Sequence, residues 1–230
     1  MNLEQKLDLL NRIYGIYDAF ARGLELACRK FCAHCCTANV SLTTLEGYRL
    51  VHGLEPGQLE YLHQCLEPAS AQRIFRPLLT TNRMAELCQE GQEIPDDAFG
   101  DPAENCPLLA ENACPVYPLR PFGCRCLVSR VPCSESGAAE MSDFVLTVNT
   151  VFLQTIEHLD AAGCTGNLVD VLLCLLCAEN REAFRENRLN CRTTGLIGNR
   201  RLSVLMVPPE HRDRLRPILD ALGNLSIKPS

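Results

Sequence analysis

Apolar residues recur every three or four positions at Leu3, Leu7, Leu10, Ile13, Tyr17, Phe20, Leu24 and Cys28, with charged and polar residues between them. That period lays one hydrophobic stripe along a helix, so the spacing predicts an amphipathic helix over 3–31 that delivers Cys28 and then Cys32, Cys35 and Cys36 at its end. Thr43 and Glu46 have the spacing of a capping box, in which hydroxyl and carboxylate each satisfy the other's orphan backbone N–H, and predict a helix from Thr44 to Gly53. After the Glu55-Pro56-Gly57 turn, helices are expected from Gln58 to Leu66, from Ala69, and through or after Pro77 to about Glu90. Gln89 to Asn105 mixes acids with Gly91, Pro95, Gly100 and Pro102 and reads as an irregular surface loop.

In the second half, Leu127–Val131 has the pattern of a short strand. Ser142 or Asp143 caps a helix striped by Phe144, Val148, Val151, Phe152 and Leu159, which ends near Gly163. Leu168 to Ala178 is apolar nearly all round, as a central buried helix is. Arg201–Val207 predicts a strand, and Pro208-Pro209 stops it and opens a last helix through about Leu222. The pattern is that of a mainly α protein: a helical domain with one or two short strands and an irregular Cys/Pro-rich metal-binding loop. A single domain over 1–230 is expected, with a cysteine-cluster core at about 28–130 and a C-terminal helical extension at about 137–230.

A chain of 230 residues that is 47% hydrophobic can build a core without disulfides. Its first fifteen residues carry Glu4, Lys6 and Asp8 and have no uninterrupted apolar run, and no stretch approaches membrane-spanning length. A cytoplasmic address and no membrane partner are therefore expected. The formal charge of −6 conceals an asymmetry: Glu86 to Glu111 holds eight acids and no base, whereas Arg181 to Arg216 holds nine arginines against four acids. Those arginines alternate with acids at helical spacing, as on a solvated face, which argues against a nucleic-acid surface.

Fifteen cysteines are more than packing explains, and in a reducing compartment clustered thiols serve as metal ligands more readily than as bridges. Cys28, Cys32, Cys35 and Cys36 crowd into nine positions, and Cys106, Cys114, Cys124 and Cys126 share a loop with four prolines. These eight are the candidate metal ligands. Cys65 and Cys88 sit alone in predicted helices and are expected to be small buried hydrophobes. Cys164, Cys174, Cys177 and Cys191 form a possible second set, with core packing of Cys174 and Cys177 the competing reading; Cys133 is left unassigned. Four thiolates suit an iron–sulfur cluster or tetrahedral zinc. Cys106-Pro107 and Cys114-Pro115 lean toward iron–sulfur, because proline follows a ligating cysteine in bacterial ferredoxins. Arg120 and Arg125 would offset the negative charge of thiolates, and Gly123 would let backbone N–H groups approach a sulfur.

The motifs Cys32-Ala-His-Cys35-Cys36, the Thr-x-x-Glu element ending at Glu46, Cys106-Pro107-Leu108, Cys114-Pro-Val-Tyr117 and Arg120-Pro121-Phe-Gly-Cys124-Arg125 resemble the YkgJ family of zinc- or iron-chelating cysteine-cluster proteins. The chain departs from that family's pattern in having three residues between Cys28 and Cys32. The resemblance covers roughly residues 28–130 and implies metal chelation. Flagellin lysine N-methylases resemble distant relatives, which makes a cluster-containing methyltransferase the enzymatic alternative, although no glycine-rich strand-to-helix turn is present to cradle a nucleoside. No HExxH or ordered Ser/His/acid set is present either. The leading expectation is a protein that holds one or two iron–sulfur clusters, with zinc the alternative, for electron transfer or an accessory role; the sequence leaves room for a protein partner without identifying one.

Overall fold

The computed structural model of the chain describes residues 1–29, 31–95 and 105–225. It is mainly helical with one small sheet. Helix α1 (Leu3–Arg22) opens with a capping box in which Asn2 Oδ1 accepts the Gln5 N–H at 2.9 Å and Gln5 Oε1 accepts the Asn2 N–H at 3.0 Å. Its stripe buries Leu10, Ile13 and Tyr17. The helix stops at Gly23, well short of the predicted 31: Gly23 and Leu24 close its last turn onto Phe20 and Ala21. From there the backbone finds partners across the fold, with the Ala27 N–H donating to the Ser129 carbonyl at 2.9 Å. The apolar period that continues to Cys28 is thus carried by irregular chain, and Cys28, Cys32, Cys35 and Cys36 lie in a loop.

Strand β1 (Ser41–Thr43) leads directly into α2 (Thr44–His52), where Thr43 and Glu46 form the predicted capping box. Helix α3 (Pro56–Ser70) takes Pro68 within its last turn instead of ending before it. The next helix, α4 (Thr81–Gln89), starts at the Thr80 cap, so neither Ala69 nor Pro77 opens one. Most of the predicted acidic loop, residues 96–104, lies outside the described residues. A 3-10 turn (Tyr117–Leu119) and two four-residue helices, α5 (Phe122–Arg125) and α6 (Cys133–Ser136), follow. Leu127–Val131 is not a strand; it is held by single bonds such as Arg130 N–H to the Glu140 carbonyl at 3.0 Å.

Helix α7 (Asp143–Leu159), capped by Ser142 as expected, runs through the core with Val148, Val151 and Phe152 fully buried. Strand β2 (Cys164–Asn167) turns into α8 (Leu168–Leu176), the predicted apolar helix, and α9 (Ala178–Arg185) follows. The chain then passes through α10 (Cys191–Thr194), β3 (Ile197–Gly198), a 3-10 turn (Pro209–His211) and α11 (Arg212–Gly223). The antiparallel sheet has the order β1-β2-β3, with Ser41 opposite Asn167, Thr43 opposite Thr165 and Cys164 opposite Gly198. Each of the first two strands feeds its own helix, and α2 packs on α8 so closely that a Cβ on Gly47 would lie 2.7 Å from Val171 Cγ1. Among the described residues no helix is long and apolar enough to cross a membrane.

Arg201–Val207, predicted as a strand, pairs with no other strand. Side chains of α7 take the place of a partner strand: Glu157 Oε1 accepts the Arg200 N–H at 2.8 Å, and Gln154 accepts the Met206 N–H at 2.9 Å while donating to the Val204 carbonyl at 2.7 Å. These polar groups are buried but bonded, as buried polar groups must be. Cys164 and Cys191 are joined in a disulfide that ties β2 to α10. Cys174 is buried in the core, whereas exposed Cys177 donates its thiol hydrogen to Glu179 at 2.9 Å. The possible second set of four ligands is therefore broken up, and a bridge forms where thiols were expected to stay reduced. Cys88 is exposed on α4 rather than buried.

Beside the disulfide sits fully buried Asp160. Its Oδ2 accepts from the Thr44 hydroxyl at 2.7 Å and the Leu45 N–H at 2.9 Å, and Oδ1 has no partner. Thr44 Oγ1 in turn accepts the Cys164 N–H at 2.9 Å, and any side chain at Gly163 would collide with Thr44 and Asp160. Burial raises the Asp160 carboxyl to about 7 against the opposing bonds from Thr44 and Leu45. A folded-state value above the unfolded one, near 4, means the native state holds the proton more tightly. This group's contribution is then fully present below about pH 4 and is lost as pH rises toward 7. Denaturation of wild type and Asp160→Asn from pH 4 to 7 should give a stability difference that drifts in favour of the variant with rising pH, by at most about 1.4 kcal/mol per unit. A difference independent of pH would show that Asp160 is ionised throughout.

Candidate metal centre

Two irregular stretches meet on one side of the fold, residues 24–37 and 105–126. An antiparallel bridge between Thr37 and Asn105 joins them, and the Cys106 N–H donates to the Cys36 carbonyl at 2.9 Å. Between Cys106 and Cys114 the chain reverses in a tight hairpin: Ala110 and Ala113 exchange backbone bonds, with Glu111 and Asn112 at φ 49° and 61° between them. Two successive left-handed residues are what a two-residue hairpin turn requires. After Tyr117–Leu119, Arg120-Pro121 directs the chain into α5, which carries Cys124.

What fixes α5 is Glu46, which is only 3% exposed. Its Oε2 accepts the Thr43 N–H and hydroxyl at 2.9 and 3.0 Å, and its Oε1 accepts the Tyr14 hydroxyl at 2.8 Å and the Phe122 N–H at 2.7 Å. The capping residue read from sequence thus also ties α1 and the cysteine-rich loop to α2. Apolar contacts reinforce the tie: Phe122 meets Tyr17 edge-on at 4.8 Å and stacks on Phe152 at 5.5 Å. Gly123 owes its identity to packing, because a Cβ there would lie 2.7 Å from the Ser41 carbonyl oxygen of β1.

The eight predicted ligands fall into groups. Cys36, Cys106, Cys114 and Cys124 are mutual neighbours: in every pairing among them, one thiolate would raise the other by its charge. Cys28 is near enough to Cys32 and Cys35 for their charges to act on it, and Cys35 is hydrogen-bonded to Cys36. Cys126 is 9% exposed, its thiol hydrogen directed to the Gly123 carbonyl of its own helix at 3.5 Å. Two nearby thiols were not read from sequence as ligands. Cys65 on α3 is close enough to act on Cys106, and buried Cys133 acts on Cys28. The proline before Cys133 and the helical setting of Cys65 gave no such signal.

Burial, first among the causes, pushes Cys106, Cys114 and Cys124 above the ordinary thiol value, and lifts Cys126 to about 12. Cys36 goes the other way, held low by a hydrogen bond from the Cys35 thiol, which is correspondingly raised. Arg120 stacks over the Tyr117 ring at 3.9 Å and its charge favours the thiolates of Cys35 and Cys114. Its Nε is buried and has no acceptor among the described residues. Arg125 has other partners: its Nε donates to the Arg120 carbonyl at 3.1 Å, and its terminal nitrogens reach Asp18 and the Pro118 carbonyl at 3.3 Å. Among the described residues no three Cys, His, Asp or Glu side chains already stand in a ready coordination geometry. The thiols are neighbours rather than a closed shell.

The chemistry of the donors, eight thiols on two facing stretches, is that of ligands for a soft cation. Such a cation would let buried thiols ionise without leaving uncompensated charge, and coordinated sulfur would give Arg120 Nε an acceptor. Compared with models of known protein families, with curated proteins and with solved structures, the chain matches none. The likeness to the YkgJ family accordingly rests on the short motifs alone.

Glu46→Ala removes the acceptor of four buried donors and should lower stability by about 3–5 kcal/mol. Tyr14→Phe, which deletes one bond, should cost about 1 kcal/mol. Glu46→Gln should resemble the alanine variant more than wild type, because one amide end must aim N–H at N–H or O–H donors. Urea denaturation at fixed metal content measures all three, and a glutamine variant as stable as wild type would refute the role assigned to the carboxylate.

Proposed function

We propose that the protein binds metal through thiolates of the 28–36 and 105–126 stretches, most readily as an iron–sulfur centre, and serves in electron transfer or as an accessory factor. The observation that carries the reading is the proximity of Cys36, Cys106, Cys114 and Cys124, which are up to 88 positions apart in sequence yet near enough for the charge of each thiolate to act on the others. The Arg120 Nε without an acceptor and the proline after Cys106 and Cys114 support it. Bound iron–sulfur would supply single-electron chemistry. The residues' part is to provide thiolates, offset their charge through Arg120, and bury the site beneath α5 and the Cys106–Cys114 hairpin.

Zinc satisfies the same four sulfurs, and the two readings separate on analysis of protein purified without air. Iron with acid-labile sulfide and a brown colour supports the cluster, and colourless protein with zinc removes the redox role. Structural metal binding is worth on the order of 10 kcal/mol, comparable to the stability of a whole domain. Chelation should therefore abolish cooperative melting and reduce helical circular dichroism. Because burial holds Cys106, Cys114 and Cys124 protonated, metal must displace their protons, so affinity should fall as pH is lowered. An unchanged melting transition after complete chelation, or protein that takes up neither iron nor zinc, would overturn the proposal.

A further inference from the structure

We propose that the Cys164–Cys191 disulfide is a reducible latch: an external dithiol opens it in the folded protein and frees residues 188–196 from the sheet, and a disulfide oxidant closes it again. Neither sulfur is among those assigned to the metal, so the latch stands or falls apart from that reading.

The bridge fastens a loop whose two ends are held independently of it. At one end α9 is rooted by buried Phe184, and Asn187 turns the chain just past it at φ 55°. At the other, Asn199 donates from its backbone to the Gly163 carbonyl at 3.0 Å and from its side chain to the Asp160 carbonyl at 2.8 Å, while its Oδ1 accepts the Thr165 hydroxyl at 2.6 Å. Between these anchors the chain bonds to itself and to its own helix. The Arg188 N–H reaches back to the Ala183 carbonyl at 2.7 Å, and the Leu196 N–H and Thr194 hydroxyl both meet the Cys191 carbonyl, at 3.0 and 2.9 Å. The loop is attached to the body by the disulfide, by the two-residue pairing of β3 with β2, and by Leu196, seated so closely that a Cβ on Gly166 would lie 2.5 Å from its Cδ2. Exposed Gly195, at φ 71°, supplies a pivot directly before that seat.

The two sulfurs differ in access. Cys164 is fully buried in β2, whereas Cys191 opens α10 partly exposed, between Asn190 and Arg192, which are both exposed. Exchange proceeds by attack of a thiolate on one sulfur of the bridge, so access selects Cys191. A thiolate of the dithiol attacks Cys191 Sγ, the S–S bond breaks, and Cys164 leaves as a thiolate that takes a proton from solvent. The second sulfur of the dithiol then attacks its first, Cys191 is released and protonated, and two electrons have passed from the dithiol, now a disulfide, to the protein. The same steps run in reverse with a disulfide oxidant. Without the bridge the loop retains the pairing of Cys164 with Gly198 and Thr165 with Ile197, while β2 keeps its three-residue register on β1 and Asn199 keeps its bonds. Opening is therefore local, a detachment of one weakly held unit with the core left folded.

The test treats the full-length wild type with dithiothreitol in native buffer and then with glutathione disulfide. Peptide mapping after alkylation should find Cys191 labelled only in the reduced sample. Trypsin cleavage after the exposed Arg188 and Arg192 should rise about tenfold on reduction, while cleavage after Arg185 in α9 and the helical circular dichroism hold steady. The oxidant should reverse both changes. Cys191→Ser should be cut at the reduced rate with no reductant present, which separates the latch from any action of the dithiol on bound metal. A bridge that yields only in urea, reduction that unfolds the whole chain, or cleavage after Arg188 and Arg192 that ignores reduction would each overturn the proposal. So would wild type whose Cys164 and Cys191 are free as purified and stay free in glutathione disulfide. Should Cys191→Ser fail to fold, the reduced wild type decides.

Discussion

One buried carboxylate holds together the stretches of chain that would otherwise have no reason to meet. Glu46 takes donors from α1, from the start of α2 and from the backbone of α5. Its last donor, Phe122 N–H, lies two residues before Cys124, so the position of that thiol is set by a side chain on a helix with no cysteine of its own. The guanidinium groups of Arg49 and Arg125 stand over the Tyr14 ring at 5.2 and 4.4 Å, bringing positive charge to the region of the carboxylate. Arg125 thereby serves the frame of the site, while Arg120 alone of the two faces the sulfurs.

The frame extends through the sheet. Strand β1 lies between the cysteine-bearing loops and α2, and its partner β2 comes from the C-terminal half, so the two halves share a ladder as well as a core. Asn167 caps α8 through the Val169 N–H at 2.8 Å and uses its amide to hold the Ala38 and Phe75 carbonyls, both at 2.8 Å. Thr44 performs the matching task at α2, bonding to Asp160 and accepting from Cys164. Short strands that end in a helix cap need few ladder bonds of their own, because the cap residues reach across and supply the rest.

Local signals were legible where the physics is local. The Thr43–Glu46 box, the Ser142 cap and the apolar run of α8 each depend on residues within a turn or two, and each appears where the sequence put it. The end of α1 was not legible, because the apolar period runs on through Leu24 and Cys28 although the hydrogen bonds do not. Strand β1 escaped notice because three residues make no pattern, and their partner lies more than a hundred positions away. At Arg201–Val207 the strand-like alternation corresponds to chain whose partners are Gln154 and Glu157, and no periodicity announces a helix side chain standing in for a strand. For the candidate site, sequence spacing grouped the thiols by stretch, whereas in the fold Cys36 neighbours Cys106, Cys114 and Cys124, and Cys65 and Cys133 come near enough to act on Cys106 and Cys28.

The electrostatics of the sulfurs follow from that grouping. A protonated thiol tolerates burial, and four adjacent thiolates in the same place do not, since desolvation and mutual repulsion both oppose ionisation. The fold therefore keeps Cys106, Cys114 and Cys124 neutral, with Cys36 as the exception because Cys35 donates to it. Among the described residues the buried Arg120 Nε has no acceptor, while the charge of Arg120 favours the thiolates of Cys35 and Cys114. Burial, which lifts the thiols, and the charge of Arg120, which favours the thiolates of Cys35 and Cys114, thus pull in opposite directions within one arrangement.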